Sequence, residues 1–296
     1  MNLPDIQKTI DTRGVPIDRV GVTGIRLPIR LLRKPTMDET LKEDWQDSVG
    51  VFELSCNLPR DVKGTHMSRF TEVLMEHIDK ESGVFSHTSL AKVADVLMER
   101  MQASCVEVSV KAVYFMPQVS PVTGRKGIAP IDVGLSVSRY NFEGTIGLVE
   151  EWMTSVQIEG MTCCPCSKEI SDYHHSTQTG KGAHSQRSMV SLQIHHAALN
   201  TIWFEDLAGA IQAAYSSPVY PVLKRPDERA VTIAAYENPK FVEDVIRDVV
   251  VNLGALHLKQ LGGTESWQCN VRVCNAESIH YHDAFASLAV RFPALL

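Results

Sequence analysis

The chain has 296 residues, 44% of them apolar and 22% charged, with a formal net charge of −6. That is the balance of a globular protein with a real core, and an acidic one, which argues against general binding to nucleic acid or to a membrane surface. The polar start "MNLPDIQKTIDTRG" lacks the apolar run of a signal peptide, and no apolar stretch approaches the roughly 20 residues of a membrane span. A cytoplasmic protein is expected, and seven cysteines, an odd number, make a disulfide framework an unfavoured reading there.

Along the chain, "VGVTGIRLPIRL" (20–31) and "SVGVFELSCNL" (48–58) read as strands. "MSRFTEVLMEHIDK" (67–80) sets Phe70, Val73, Leu74 and Ile78 at helical spacing, with Ser68 as its cap, and "SLAKVADVLMERMQ" (89–102) repeats the pattern. Strands follow at 105–115 and 131–142, joined by the Pro/Gly-rich loop "VSPVTGRKGIAP". The second half gives strands at 147–160 and 188–199, helices at 203–217 and 238–256, and strands at 266–278 and 284–292. The order strand, strand, helix, helix, strand, strand thus occurs twice. It predicts an α+β fold of two units, 1–146 and 147–296, each a four-stranded antiparallel sheet with two helices on one face.

The densest chemistry lies in "CCPCSKEISDYHHSTQTGKGAHSQRS" (163–188). A closed structural zinc site is poorly supported, because no second C-x-x-C exists to complete four ligands. A redox dithiol has its spacing only between Cys163 and Cys166. Cys163 has no pattern of its own beyond a buried thiol at a strand end. A thiolate, an imidazole and carboxylates would instead hold a divalent ion with a position left open for water. Lys168, Lys181, Arg187, Lys224 and Arg225 concentrate positive charge nearby, enough for one small anion.

Downstream, "KRPDERAVTIAAYENPKFVED" (224–244) carries Asp227, Glu228, Glu237, Glu243 and Asp244. Such charge runs are usually solvated surface, but Glu243 sits between Val242 and Val245, beside an apolar helical stripe. In "NAESIHYHDA" (275–284), His280 and His282 share a face if the strand continues, with Glu277 close by as a partner supporting a ligand or as a proton relay. "GTHMSRF" (64–70) reads from spacing alone as an ordinary helix start.

"NLPRDVKGTHMSRF", "CPCSKEIS", "GAHSQRS", "PVYPVLKRPDE", "NPKFVED" and "ESIHYHD", in that order, resemble the type IB GTP cyclohydrolase I family from about residue 17 to the C-terminus. The resemblance implies tandem tunnelling-fold units assembled into a homotetramer. It also implies metal-dependent hydrolysis of GTP to 7,8-dihydroneopterin triphosphate and formate, the first step toward folate and some modified tRNA bases. Manganese or zinc is the implied ion, with iron and magnesium as further candidates. By motif, Cys164, His184 and Glu228 would bind the metal, and Glu243 would anchor the guanine edge. Glu277 and His280 would move protons, while Lys168 and Arg187 would hold the triphosphate. The family runs from "SDY" almost directly into "GAH", whereas "HHSTQTGK" (174–181) intervenes here, which offers His174 and His175 as competing ligands. Because "GAHSQRS" is intact, His184 is kept. The related nitrile reductases are set aside because their E-[SL]-K-S signature is missing.

Overall fold

The computed structural model describes residues 6–35, 44–80, 82–141, 149–174, 182–196, 202–262 and 265–293. The boundary expected near residue 146 lies outside these residues, as does most of the 174–181 segment. The chain divides into two compact units, Met1–Tyr114 with Gly134–Thr154, and Phe115–Val133 with Ser155–Leu296.

In the first unit, β1 (Ile17–Leu32) pairs antiparallel with β2 (Trp45–Leu58), and β2 with β4 (Cys105–Val119). The two-residue β3 (Val84–Phe85) lies parallel to β1. Helices α1 (Met67–Lys80) and α2 (His87–Met101) bury the stripes read from the sequence, Phe70, Val73 and Leu74 on one, Leu90, Val93 and Leu97 on the other. Ser68 lies inside the first turn of α1, so it is not the cap. The start of α2 is closed reciprocally by Ser86 and Ser89, each side chain accepting from the other's backbone N–H. His87, first residue of α2, is buried; its ring stacks on Trp152 at 5.0 Å and its Nε2 lies 3.1 Å from the Met153 carbonyl. Desolvation pushes the His87 pKa down to about 4, against the opposing pull of that hydrogen bond.

In the second unit, β7 (Ser185–His196) pairs antiparallel with β9 (Trp267–Asn275), and β9 with β10 (Ala284–Phe292). Helix α6 (Val242–Leu261) packs on these strands and on α4 (Phe204–Gln212), burying Val245, Val249 and Leu253. Tyr215 lies fully inside, its hydroxyl donating to the Ile158 carbonyl at 2.7 Å. Its ring occupies the space over Gly160, where a Cβ would come within 2.0 Å of Cδ2.

The strands, with β5 (Lys126–Tyr140), β6 (Val149–Cys163) and the short β8 (Ser217–Pro218), hydrogen-bond as one ten-stranded mixed sheet. Its order is β10-β9-β7-β6-β5-β4-β2-β1-β3, with β8 paired to β6. This corrects the expectation of two four-stranded tunnelling-fold units with two helices each. The described residues form six α-helices, and two of them, α3 (Pro165–His174) and α5 (Arg225–Glu237), were not read from the sequence. The reason is physical. No described side chain of α3 is buried, and α5 buries only Asp227 and Ala235, so neither shows an apolar stripe.

The loop expected after Gln118 is also shorter than read, because β4 runs to Val119 and β5 starts at Lys126. Its tip is held by Asp227, a member of the supposed surface charge run that is in fact fully buried. The carboxylate accepts the N–H groups of Val122 (2.9 Å), Thr123 (2.8 Å) and Lys224 (2.9 Å) and the Thr123 hydroxyl (2.6 Å). Burial alone would raise its pKa, but these donors outweigh it and hold the carboxyl well below the usual range.

Candidate functional site

Strand β6 ends at Cys163 and α3 begins at Pro165, so Cys164 occupies the single residue between strand and helix. Cys163 is the buried thiol of the pair, its pKa raised by desolvation. Its N–H donates to Ser216 Oγ (3.1 Å) and its carbonyl accepts from the Lys240 N–H (3.0 Å). Cys164 is half-buried, and its Sγ accepts from the Ser167 N–H at 3.5 Å. The first turn of α3 thus presents the Ser167 N–H, and the positive end of the helix dipole, to the sulfur.

His184 comes back to the same point. Its carbonyl accepts the Cys164 N–H at 3.0 Å, and its own N–H donates to Ser167 Oγ at 3.3 Å. The ring Nδ1 lies 2.9 Å from Gln186 Oε1 and 3.4 Å from Ser278 Oγ. Ser278 belongs to the turn after β9, and the Ala276 N–H donates to the Arg187 carbonyl at 2.9 Å. Glu277 and His280 are in that turn, with the His280 N–H 3.5 Å from the Glu277 carbonyl. The His280 and His282 rings stack at 4.9 Å, both exposed.

The remaining expected residues stand around this core at varying remove. Lys168 is half-buried, its Nζ 4.7 Å above the Tyr236 ring, and the Tyr236 hydroxyl donates to Asp172 Oδ1 at 2.7 Å. Arg187 is exposed and paired with Glu159 at 3.0 Å. Glu243 follows Val242 in the first turn of α6, three residues after the Lys240 that touches Cys163. Val242 and Val245 are buried as the stripe predicts, but Glu243 itself is exposed. Glu228 is exposed in the first turn of α5, about 12 Å along that helix from Tyr236 at 1.5 Å per residue. No hydrogen bond or ion pair among the described residues ties Glu228 or Glu243 to Cys164 or His184. Nor do three His, Cys, Asp or Glu side chains among them group closely enough to hold a metal ion.

Cys164 and His184, joined through their backbones, are nonetheless residue types that a divalent ion takes as ligands. Nδ1 of His184 faces the Gln186 amide oxygen, and a ring nitrogen hydrogen-bonded on the side away from the ion is common in metal-binding histidines. The neighbouring donor is a sulfur at a helix N-terminus.

The description type I GTP cyclohydrolase folE2 belongs to the family profile that matches residues 3–286. GTP cyclohydrolase FolE2 of Kosmotoga olearia is 36% identical over 286 residues, covering 96% of this chain and 97% of that one. The protein of the same name from Syntrophobacter fumaroxidans is 38% identical over 284 residues, covering 96% and 98%.

The chain belongs to the type I GTP cyclohydrolase family. As a GTP cyclohydrolase I type enzyme it belongs to a family that is in general metal-dependent. Among solved structures it is similar to a uricase from Bacillus fastidious (TM-score 0.49, 10% identity, 92% of each chain). A highly active mutant of Bacillus sp. TB-90 urate oxidase gives TM-score 0.49 and 10% identity, with 93% and 99% covered. Among the described residues, no helix of this cyclohydrolase is long and apolar enough to cross a membrane.

Sequence reading missed four residues that shape the site: Ser167, Gln186, Tyr236 and Ser278. Gln186 alone had a local signal, since residues two apart on an extended chain face one side and it follows His184 by two. The others meet their partners through the fold.

Proposed function

We propose that the chain hydrolyses GTP to 7,8-dihydroneopterin triphosphate and formate, consuming one water overall, at a site centred on Cys164 and His184. The observation that carries the reading is the backbone bond from Cys164 to His184, which supports a site built on that thiol and that imidazole. The product feeds folate synthesis.

Cys164 and His184 are the metal ligands in this reading, with Glu228 as the third, and manganese or zinc as the ion. A divalent ion held there would supply Lewis acidity and lower the pKa of a water, the chemistry that hydration of guanine C8 at neutral pH calls for. Glu243 accepts the guanine N1–H and the exocyclic amine, two donors that adenine does not offer together. Its exposure at the start of α6 leaves both carboxylate oxygens accessible to a base. Lys168 and Arg187 bind the triphosphate by charge-assisted hydrogen bonds. Opening of the imidazole ring, release of formate and closure of the pterin ring each move protons. His280 and Glu277 donate and accept them, from a turn that Ser278 joins to the His184 ring. The protein works as a cytoplasmic homotetramer. Seven free cysteines support a reducing compartment, and β10, the terminal strand of the sheet, exposes Phe285 and Leu288.

The test is anaerobic incubation of metal-stripped protein with GTP, with and without Mn²⁺ or Zn²⁺, followed by neopterin fluorescence after oxidation and dephosphorylation. Metal-restored turnover that disappears in Cys164→Ala is expected. GTP left intact with every metal, by folded protein, would overturn the reading in favour of a nucleotide-binding role.

A further inference from the structure

Gln186 has no part in the chemistry above, yet its side chain is only 8% exposed. It takes the first inward position of β7, ahead of Ser188, Val190, Leu192 and Ile194. A primary amide taken out of water there costs stability unless it is hydrogen-bonded. Its oxygen faces one partner, Nδ1 of His184 at 2.9 Å. The His184 main chain is already fixed on both sides, through Ser167 and Cys164. What those bonds leave free is rotation of the ring and the choice of which nitrogen carries the proton. With an amide oxygen opposite Nδ1, a proton there makes a hydrogen bond. A proton on Nε2 instead sets two acceptor lone pairs against each other. Ser278 Oγ, at 3.4 Å, is the more distant neighbour of the same nitrogen.

We propose that Gln186 is a positioning residue that holds His184 in the Nδ1-protonated tautomer and so turns the Nε2 lone pair toward a divalent cation. The proposal deepens the reading of His184 as a metal ligand and rests on it. It assigns Gln186 no contact with substrate. Support of this kind from behind a ligand is worth about 10- to 100-fold in metal affinity.

The test has two arms. Solid-state ¹⁵N spectra of histidine-labelled, metal-free protein report the tautomer, with the His184 signals identified by their loss in His184→Ala. Competition for Zn²⁺ or Co²⁺ against a chromophoric chelator reports affinity, with the metal alone as probe. In Gln186→Leu the Nδ1-protonated signal is expected to give way to a mixture, and affinity to fall about 10- to 100-fold. Gln186→Glu, which can only accept, is expected to restore both. An unchanged tautomer and affinity in Gln186→Leu, while His184→Ala loses metal, would overturn the proposal. If His184→Ala binds metal as well as the parent, the ligand reading falls instead, and the tautomer spectra alone decide whether Gln186 positions the ring. Should Gln186→Leu fail to fold, Gln186→Glu decides, since loss of the tautomer in that variant contradicts an accepting role.

Discussion

Thr123 donates both its backbone N–H and its hydroxyl to the carboxylate of Asp227, 104 residues further along the chain. The Asp227 carboxyl also closes the start of α5 through the Lys224 N–H, so one buried side chain fastens a hairpin tip to a helix. Asp227→Asn replaces one of the two oxygens, each of which accepts from two of the four donors, and is expected to lower Tm. The folded pKa lies below the unfolded one, so the unfolded chain takes up the proton first as pH falls. The stabilisation is therefore complete above about pH 4 and declines below it. Thermal melts of parent and variant should converge on acidification; a constant gap down to pH 2.5 would show that ionisation of Asp227 is not what matters.

His87 predicts the behaviour of a neutral buried imidazole. Its pKa is lowered to about 4 on folding, so between roughly pH 6.5 and 4 the unfolded state binds a proton that the folded state refuses. Stability is full above that window and falls through it, by on the order of 3 kcal/mol at the lower end. Urea titrations at a series of pH values should show this slope in the parent and a flatter one in His87→Gln. Equal slopes would assign the acid sensitivity to other groups.

Gly160 and Tyr215 test packing. A Cβ at Gly160 would overlap the Tyr215 ring, so Gly160→Ala should cost about 3 kcal/mol or more. Tyr215→Phe removes the hydroxyl that donates to the Ile158 carbonyl and also meets Val190 and Ser188, and should cost about 1 kcal/mol or more. Combined with Tyr215→Ala, Gly160→Ala should lose much of its own penalty, and strict additivity in that double-mutant cycle would refute the overlap.

Arg187 and Glu159 are 62% and 54% exposed, so their ion pair contributes little to stability. Arg187→Ala should shift unfolding free energy by under about 0.5 kcal/mol, yet raise KM for GTP about tenfold through loss of a charge-assisted phosphate contact. Steady-state kinetics with GTP and guanosine distinguish the causes, since only the triphosphate should respond.

Glu243 bears on base selection. Glu243→Gln turns one of the two acceptors into a donor, so binding of GTP should weaken more than tenfold. Inosine triphosphate, which lacks the exocyclic amine, should lose less, and equal losses measured by calorimetry would remove Glu243 from the guanine edge.

Strongly periodic elements were legible. Helix α1 occupies 67–80 and β10 occupies 284–292, the ranges read from the sequence; α1 buries a regular apolar face and β10 buries Val290 and Phe292 at its end. What stayed hidden was local structure without an apolar signature. Helices α3 and α5 bury almost nothing, and Asp227 looks like surface until its donors, distant in sequence, are in place. The two-unit sheet failed for a related reason. Element order says how many strands precede a helix, not whether two runs of strands join into one sheet. Cys164 and His184 were singled out as a pair through family resemblance, because nothing in a separation of 20 residues brings two side chains together.

That separation has its own consequence. The excursion from Cys164 to His184 is tied at its base by the Cys164 to His184 bond, again by Ser167, and further out by the Gly182 N–H on Ser171 Oγ. Residues added beyond these ties lengthen the excursion without re-spacing sulfur and imidazole. The proposed site is thereby insulated from changes in chain length at its own periphery, and a descendant of this sequence can gain or shed residues there while keeping these ties.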